Sequence, residues 1–218
     1  MDWSPFWISL RVSGWATFFS VVVGLPIAFA LARRRLAGRT ILIGLTNLPL
    51  VLPPTVLGYA LLVCLGNRGP LNNLWLHLTG HPLGLIFTWE GAVVAACVAS
   101  IPLFVSQARV AIAAIDRDLV DAARTDGAGP VALVARIMTP LALPGLMAGT
   151  ALAFARALGD FGATLMVAGD MPGSTRTMSL AIYDALITDD TQTVTAFIII
   201  TFAISIIVTM LSARVSPR

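Results

Sequence analysis

The chain has 218 residues, of which 57% are hydrophobic and only 11% charged. A soluble domain carries about 25% charged residues, so water is not the main solvent of this sequence, and a soluble enzyme or nucleic-acid-binding module is excluded at the outset. The 14 basic and 11 acidic side chains give a net charge of +3 and are clustered, leaving long stretches with no charge at all.

The first of these stretches covers 12–32 and is flanked by Arg11 and by the cluster Arg33, Arg34, Arg35 and Arg39. Its length exceeds a signal-peptide core and no basic residue precedes Arg11, so the segment reads as a retained anchor. The second, 40–64, is interrupted by Pro49, Pro53 and Pro54. Each proline removes a helix hydrogen bond, so this span must bend or unwind where protein or a wet cavity satisfies the backbone. Residues 67–83, with Gly69-Pro70, Gly80 and His81-Pro82, read as a turn-rich loop. His77 and His81 in that loop are a poor basis for a metal site, and Trp3, Trp7, Trp75 and Trp89 with Glu90 suit a membrane interface.

The third stretch is 91–107 and holds Cys97, which with Cys64 offers no disulfide or metal spacing and reads as packing. The polar segment 116–140 follows, then a fourth stretch over 137–155, a short apolar piece over 161–169, and a fifth stretch over 194–213. About 20 apolar residues span a hydrocarbon core, so 161–169 is too short. Within 175–187, Met178, Ala181, Ile182 and Ala185 recur at helical spacing and predict a short interfacial helix that ends at Thr188-Asp189-Asp190.

The fold class expected is therefore all-α, an integral membrane protein of five transmembrane helices forming one domain over 1–218. Arginine retention on the cytoplasmic side sets the orientation. Arg33–Arg39, Arg109–Arg136 and Arg214–Arg218 mark inside segments, whereas the other loops hold only Arg68 and Arg176. Two spans separate each pair of inside segments, which leaves the N-terminus outside and the C-terminus inside.

The segment Asp118-Leu-Val-Asp-Ala-Ala-Arg-Thr-Asp-Gly-Ala-Gly-Pro130 predicts a helix, a bend at Gly127 and a second short helix opened by Pro130. Asp121, Ala122, Ala123, Gly127, Ile137 and Pro140 stand at the spacing Glu-Ala-Ala, three residues, Gly, nine residues, Ile, one residue, Leu, Pro. This resembles the "EAA" loop of ABC importer permeases, with Asp121 in place of Glu and Thr139 in place of Leu. The resemblance implies that the loop docks in a groove of a cytoplasmic ATPase. The residues alone also fit an ordinary amphipathic loop in which Asp121 pairs with Arg117 or Arg124.

Two further phrases, Leu48-Pro-Leu-Val-Leu-Pro-Pro-Thr-Val-Leu-Gly-Tyr59 and Ala155-Arg-Ala-Leu-Gly-Asp-Phe-Gly-Ala-Thr164, are similar to those of the molybdate permease family, with Asp160 where Glu is usual. Sulfate and tungstate permeases share parts of them. The resemblance implies a bacterial inner-membrane permease subunit for molybdate, or for tungstate, sulfate or thiosulfate. It also implies a second copy of the chain, two ATPase subunits, an extracytoplasmic oxyanion-binding protein and surrounding lipid as partners.

No nucleic-acid partner and no cofactor bound by this chain are expected; ATP and Mg belong to the ATPase. Every basic residue is Arg, so the chain lacks the lysine of a phosphate-binding P-loop. A stand-alone secondary transporter is the alternative of a different class; such proteins often show repeated halves, and none is visible here.

For a passage through the membrane, the candidate lining and gate residues are Pro53, Pro54, Thr55, Gly159, Gly162 and Thr164, with Arg156 and Asp160. An intramembrane Arg is a functional-site candidate, but Asp160 at i+4 also places the two in reach of a pair on one helix face.

Overall fold

The computed structural model describes residues 2–33 and 37–215. Arg34, Arg35 and Arg218 of the arginine clusters, and the side chain of Arg214, lie outside the described residues. The described elements are helical. In chain order they are α1 (Ser4–Ala32), α2 (Arg39–Val51), α3 (Pro54–Leu65), α4 (Pro70–Thr79), α5 (Trp89–Ala113), α6 (Arg117–Thr125), α7 (Pro130–Ala132), α8 (Thr139–Leu158), α9 (Gly162–Ala168), α10 (Met178–Ile187) and α11 (Thr191–Val215).

Among the described residues, four helical stretches are long and apolar enough to cross a membrane: Ser4–Ala32, Trp89–Ala113, Pro130–Leu158 and Thr191–Ser212. The second expected span is broken. α2 and the helical run from Pro54 meet at 109°. Leu52 is extended (φ −69°, ψ 139°) and so is Pro53 (ψ 137°), the conformation forced on a residue that precedes proline. With this bent pair as one span the number is five.

Two expectations change in detail and a third holds. The loop over 67–83 contains α4, which starts at Pro70 and stops at Gly80 (φ +77°). Gly-Pro and Gly-His-Pro mark the two ends of a helix here rather than a succession of turns. Asn72, buried in its first turn, donates to the Asn67 carbonyl (2.9 Å) and accepts from the Leu83 amide (2.8 Å). The second short helix expected after Gly127 is continuous with the fourth span. Pro130–Ala132 runs through a wide π turn, Leu133–Met138, into α8, and the Thr139 amide donates to the Val134 carbonyl. Pro140 cannot supply the next helical N–H, and one widened turn absorbs that gap. Finally, α10 begins at Met178, and Met178, Ala181 and Ala185 are buried on its inner stripe, as the spacing predicts.

α5 is the centre of the bundle: α1 and α8 pack along it and α9 sits between it and α3. Its Ala92, Ala95, Ala96, Ala99 and Ala108 are fully buried. Small side chains let helix backbones approach closely, which is how helices associate when lipid supplies no hydrophobic drive between them. Phe104 fills the inner core with Ala28, Leu31 and Leu146 around it. α1 is tied to α5 by polar groups as well: the Ser20 hydroxyl lies 2.8 Å from that of Ser100 and within reach of the Cys97 carbonyl at 3.3 Å. Cys97 is thus a packing residue and its thiol is free.

Candidate functional site

The structure gathers the sequence-selected residues into two places. One is the polar turn between α5 and α8. Asp116 caps α6 by accepting from the Asp118 amide at 2.9 Å. At the other end Gly127 takes φ +87°, the Gly127 amide donates to the Arg124 carbonyl (3.0 Å) and the Ala128 amide to the Ala123 carbonyl (3.0 Å). This is the left-handed helix ending expected at Gly127. Asp126, the residue before it, is helix-terminal and exposed.

α6 buries none of its residues. Ala122 is exposed, Ala123 half-buried, and Leu119 presents 53% of its surface to solvent. Asp121 meets Arg124 at 3.1 Å, with both side chains more than 60% exposed. A pair this exposed contributes about 0.3–0.5 kcal/mol and does not prevent either group from meeting another partner. Ile137 is half-buried in the π turn and Pro140 is exposed at the start of α8.

The second place is the broken-helix wall. α8 ends at Leu158, the chain passes Gly159, Asp160 and Phe161, and α9 restarts at Gly162. Asp160 is buried with its side chain fully covered. One carboxylate oxygen accepts from the Arg156 guanidinium at 2.9 Å. The other accepts from the Thr164 amide (2.9 Å) and the Thr164 hydroxyl (2.7 Å). Asp160 thus fastens the end of α8 to the first turn of α9, while Arg156 keeps 26% of its side chain exposed.

Thr164 is itself buried, with its hydroxyl committed to Asp160; in this conformation it braces the wall and does not face an open surface. Pro53, Pro54 and Thr55 are exposed at the start of α3. A Cβ at Gly162 would stand 2.9 Å from Pro54 Cβ, and one at Gly58 would stand 2.9 Å from the Ala163 backbone. The two breaks therefore touch: the start of α3 lies against the start of α9 because glycine on each side permits it.

Other polar fixtures escaped sequence reasoning. Arg176 binds Asp170 through two bonds (2.7 and 3.2 Å) and Asp184 through one (2.8 Å). Its partial burial works against the charge, but the Asp170 and Asp184 carboxylates outweigh that and lift its pKa above the ordinary arginine value. Separations of six and eight residues fit no helical period, so only the folded loop reveals this cluster. The Ser9 hydroxyl accepts from the Met178 amide at 2.7 Å, pinning α10 to α1. The Arg11 guanidinium lies 3.6 Å above the Trp89 ring centre, which secures that aromatic anchor. His77 and His81 are both exposed, and among the described residues no group of three or more His, Cys, Asp or Glu side chains is arranged to hold a metal.

Residues 20–218 match the family described as "Binding-protein-dependent transport system inner membrane component". The chain belongs to this family. It is 41% identical over 218 residues to the molybdenum transport system permease protein ModB of Escherichia coli (strain K12), covering 99% of this chain and 92% of that protein. Against ModB of Haemophilus influenzae the identity is 38% over 220 residues, covering 100% and 95%.

Among solved structures, the inward-facing MetNI methionine ABC transporter superposes with a TM-score of 0.69 at 20% identity, over 98% of this chain and 95% of that one. A bacterial alginate ABC transporter gives 0.74 at 16% identity, over 98% and 79%. At such identities the likeness is one of fold, and that fold is the ABC importer permease. As a member of the family, the chain is a multi-pass inner-membrane permease.

Proposed function

We propose that this chain, as one permease domain over 1–218, forms the membrane passage of an ATP-driven molybdate importer. The observation that carries the substrate is full-length relatedness to permeases named for molybdenum transport. The motor is a separate cytoplasmic ABC ATPase. α6 is its docking element: Asp121, Ala122, Ala123 and Gly127 present a helix with no buried residue of its own, and the π turn carrying Ile137 links it to α8. This chain binds no nucleotide; ATP and Mg act on the partner.

The passage runs along the contacting breaks at Pro53–Thr55 and Gly159–Thr164, with a second copy of the chain completing it. Arg156 serves that wall chiefly as the partner of Asp160. Its remaining exposed surface offers a passing dianion a positive charge, and a site that must also release its cargo benefits from so limited a contact. The N-terminus lies outside and the C-terminus inside, following the arginine asymmetry. An extracytoplasmic oxyanion-binding protein delivers the substrate to the outer face.

The test is ATP hydrolysis by the reconstituted permease and ATPase with the binding protein, compared with molybdate, tungstate, sulfate and thiosulfate in turn. Molybdate should give the largest stimulation at low concentration. Stimulation by sulfate or thiosulfate alone would reassign the substrate. Absence of any ATPase association would remove the importer reading.

A further inference from the structure

Where α1 and α5 end, a cavity of about 570 Å³ opens beneath α6. Its polar wall carries Arg33 from the end of α1 and Arg117, Asp121 and Arg124 from α6; its apolar wall carries Ile112 and Ile115. Arg124 is shared with Asp121 at 3.1 Å. Arg33 and Arg117 make no ion pair among the described residues, so the lining holds three arginines and one aspartate. Guanidinium groups bind phosphate oxygens through paired N–H donors. A basic pocket next to apolar side chains at the end of two membrane spans has the amphipathic character of a lipid at the interface.

We propose that this cavity holds an anionic phospholipid, with its phosphate on Arg33 and Arg117 and the top of an acyl chain along Ile112 and Ile115. The volume admits a headgroup together with the first methylenes, whereas a lone tetrahedral oxyanion would leave the isoleucine side unfilled. Because α6 is one wall of the cavity, the lipid braces the helix proposed to meet the ATPase. The role of α6 rests on the function proposed above; the lipid site itself does not.

The experiment uses the full chain in nanodiscs of phosphatidylcholine with phosphatidylglycerol in both leaflets, and native mass spectrometry of the lipids that stay bound. Phosphatidylglycerol should be retained in preference to phosphatidylcholine. Each basic group contributes a factor of about five to the attraction of an anionic lipid, so R33Q/R117Q should lower retention about 25-fold on the same basis. R33K/R117K should keep most of it, and the distant exposed R68Q should keep all of it.

Equal retention by R33Q/R117Q and wild type, or an equal loss in R68Q, would overturn the site. A second arm adds inorganic phosphate or molybdate to discs of phosphatidylcholine alone. Binding there that R33Q/R117Q abolishes would assign the cavity to a free oxyanion and overturn the lipid assignment. With anionic lipid in both leaflets, none of these outcomes depends on membrane orientation or on the ATPase. Thiol labelling of Asp126→Cys from outside sealed cells tests the orientation separately: no labelling is expected without permeabilisation.

Discussion

Gly127→Val tests the turn proposed above to dock the ATPase without altering the membrane helices. Gly127 sits at φ +87°, and a Cβ built there meets nothing within 4 Å beyond its own chain neighbours. The penalty is therefore conformational, about 1–2 kcal/mol for an L-residue held in the left-handed region. α6 has nine residues and none is buried, and an isolated helix of that length is marginal in water. Nothing nearby offsets the strain, so the hydrogen bond from the Ala128 amide to the Ala123 carbonyl should open in a fraction of molecules larger by about 5- to 30-fold.

The membrane helices lie outside this turn, and expression, insertion and pairing of two copies should be unchanged. Co-purification with the ATPase and ATP-driven molybdate uptake should both fall. Gly127→Asn, which tolerates the left-handed conformation, should retain most of both. A Gly127→Val protein that binds its ATPase and imports at the wild-type rate would refute the assignment of α6 as the docking element.

Substitutions at three other contacts probe the wall and its supports. Arg156→Ala leaves a fully covered carboxylate without its cation, a loss of about 3–5 kcal/mol for a buried pair; uptake should drop while ATPase association persists, and normal uptake would exclude any role for the pair. Exchanging the two residues should not rescue, because Asp160 also accepts two bonds from Thr164 that an Arg cannot accept, whereas Asp160→Glu should retain function. Gly58→Ala forces a methyl against Met166 Cβ (2.8 Å) and the Ala163 backbone (2.9 Å), an overpacking of about 1–3 kcal/mol that should part α3 from α9 and lower uptake; a wild-type rate would show that their contact is dispensable. Ser9→Ala removes the acceptor of the buried Met178 amide at about 1–3 kcal/mol, and faster hydrogen exchange at the start of α10 is the measurement that checks it.

The membrane helices were legible because bilayer solvation leaves a signature of length and missing charge that packing does not alter. α5 and α11 follow directly from it. The break at Pro53 was legible as chemistry, since two consecutive prolines cannot donate, but its 109° angle depends on what α3 packs against. α4 was hidden because Gly69-Pro70 and Gly80 suit both a turn and a helix boundary, and its short apolar stripe did not decide between them. The Arg156–Asp160 pair could be read from i,i+4 spacing, and Gly127 from its place after a helix pattern. The two bonds from Thr164 could not, because they depend on how the chain reverses between Leu158 and Gly162.

The placement of the two breaks carries the last step. A membrane helix that stops inside the bilayer exposes amides and carbonyls that hydrocarbon cannot satisfy. Here the break before α3 and the break before α9 meet, and Asp160 supplies the acceptor for one of the freed amides of α9. The buried Asp160 carboxylate thus satisfies backbone freed at the junction of α8 and α9. It also joins α8, which descends from the π turn beside α6, to the segment that faces α3. α6, the π turn and α8 follow one another along the chain to Arg156 and Asp160. The π turn Leu133–Met138 joins Pro130–Ala132 to α8, so on the docking role proposed for α6 it is the stretch that would carry a displacement of that helix toward Asp160.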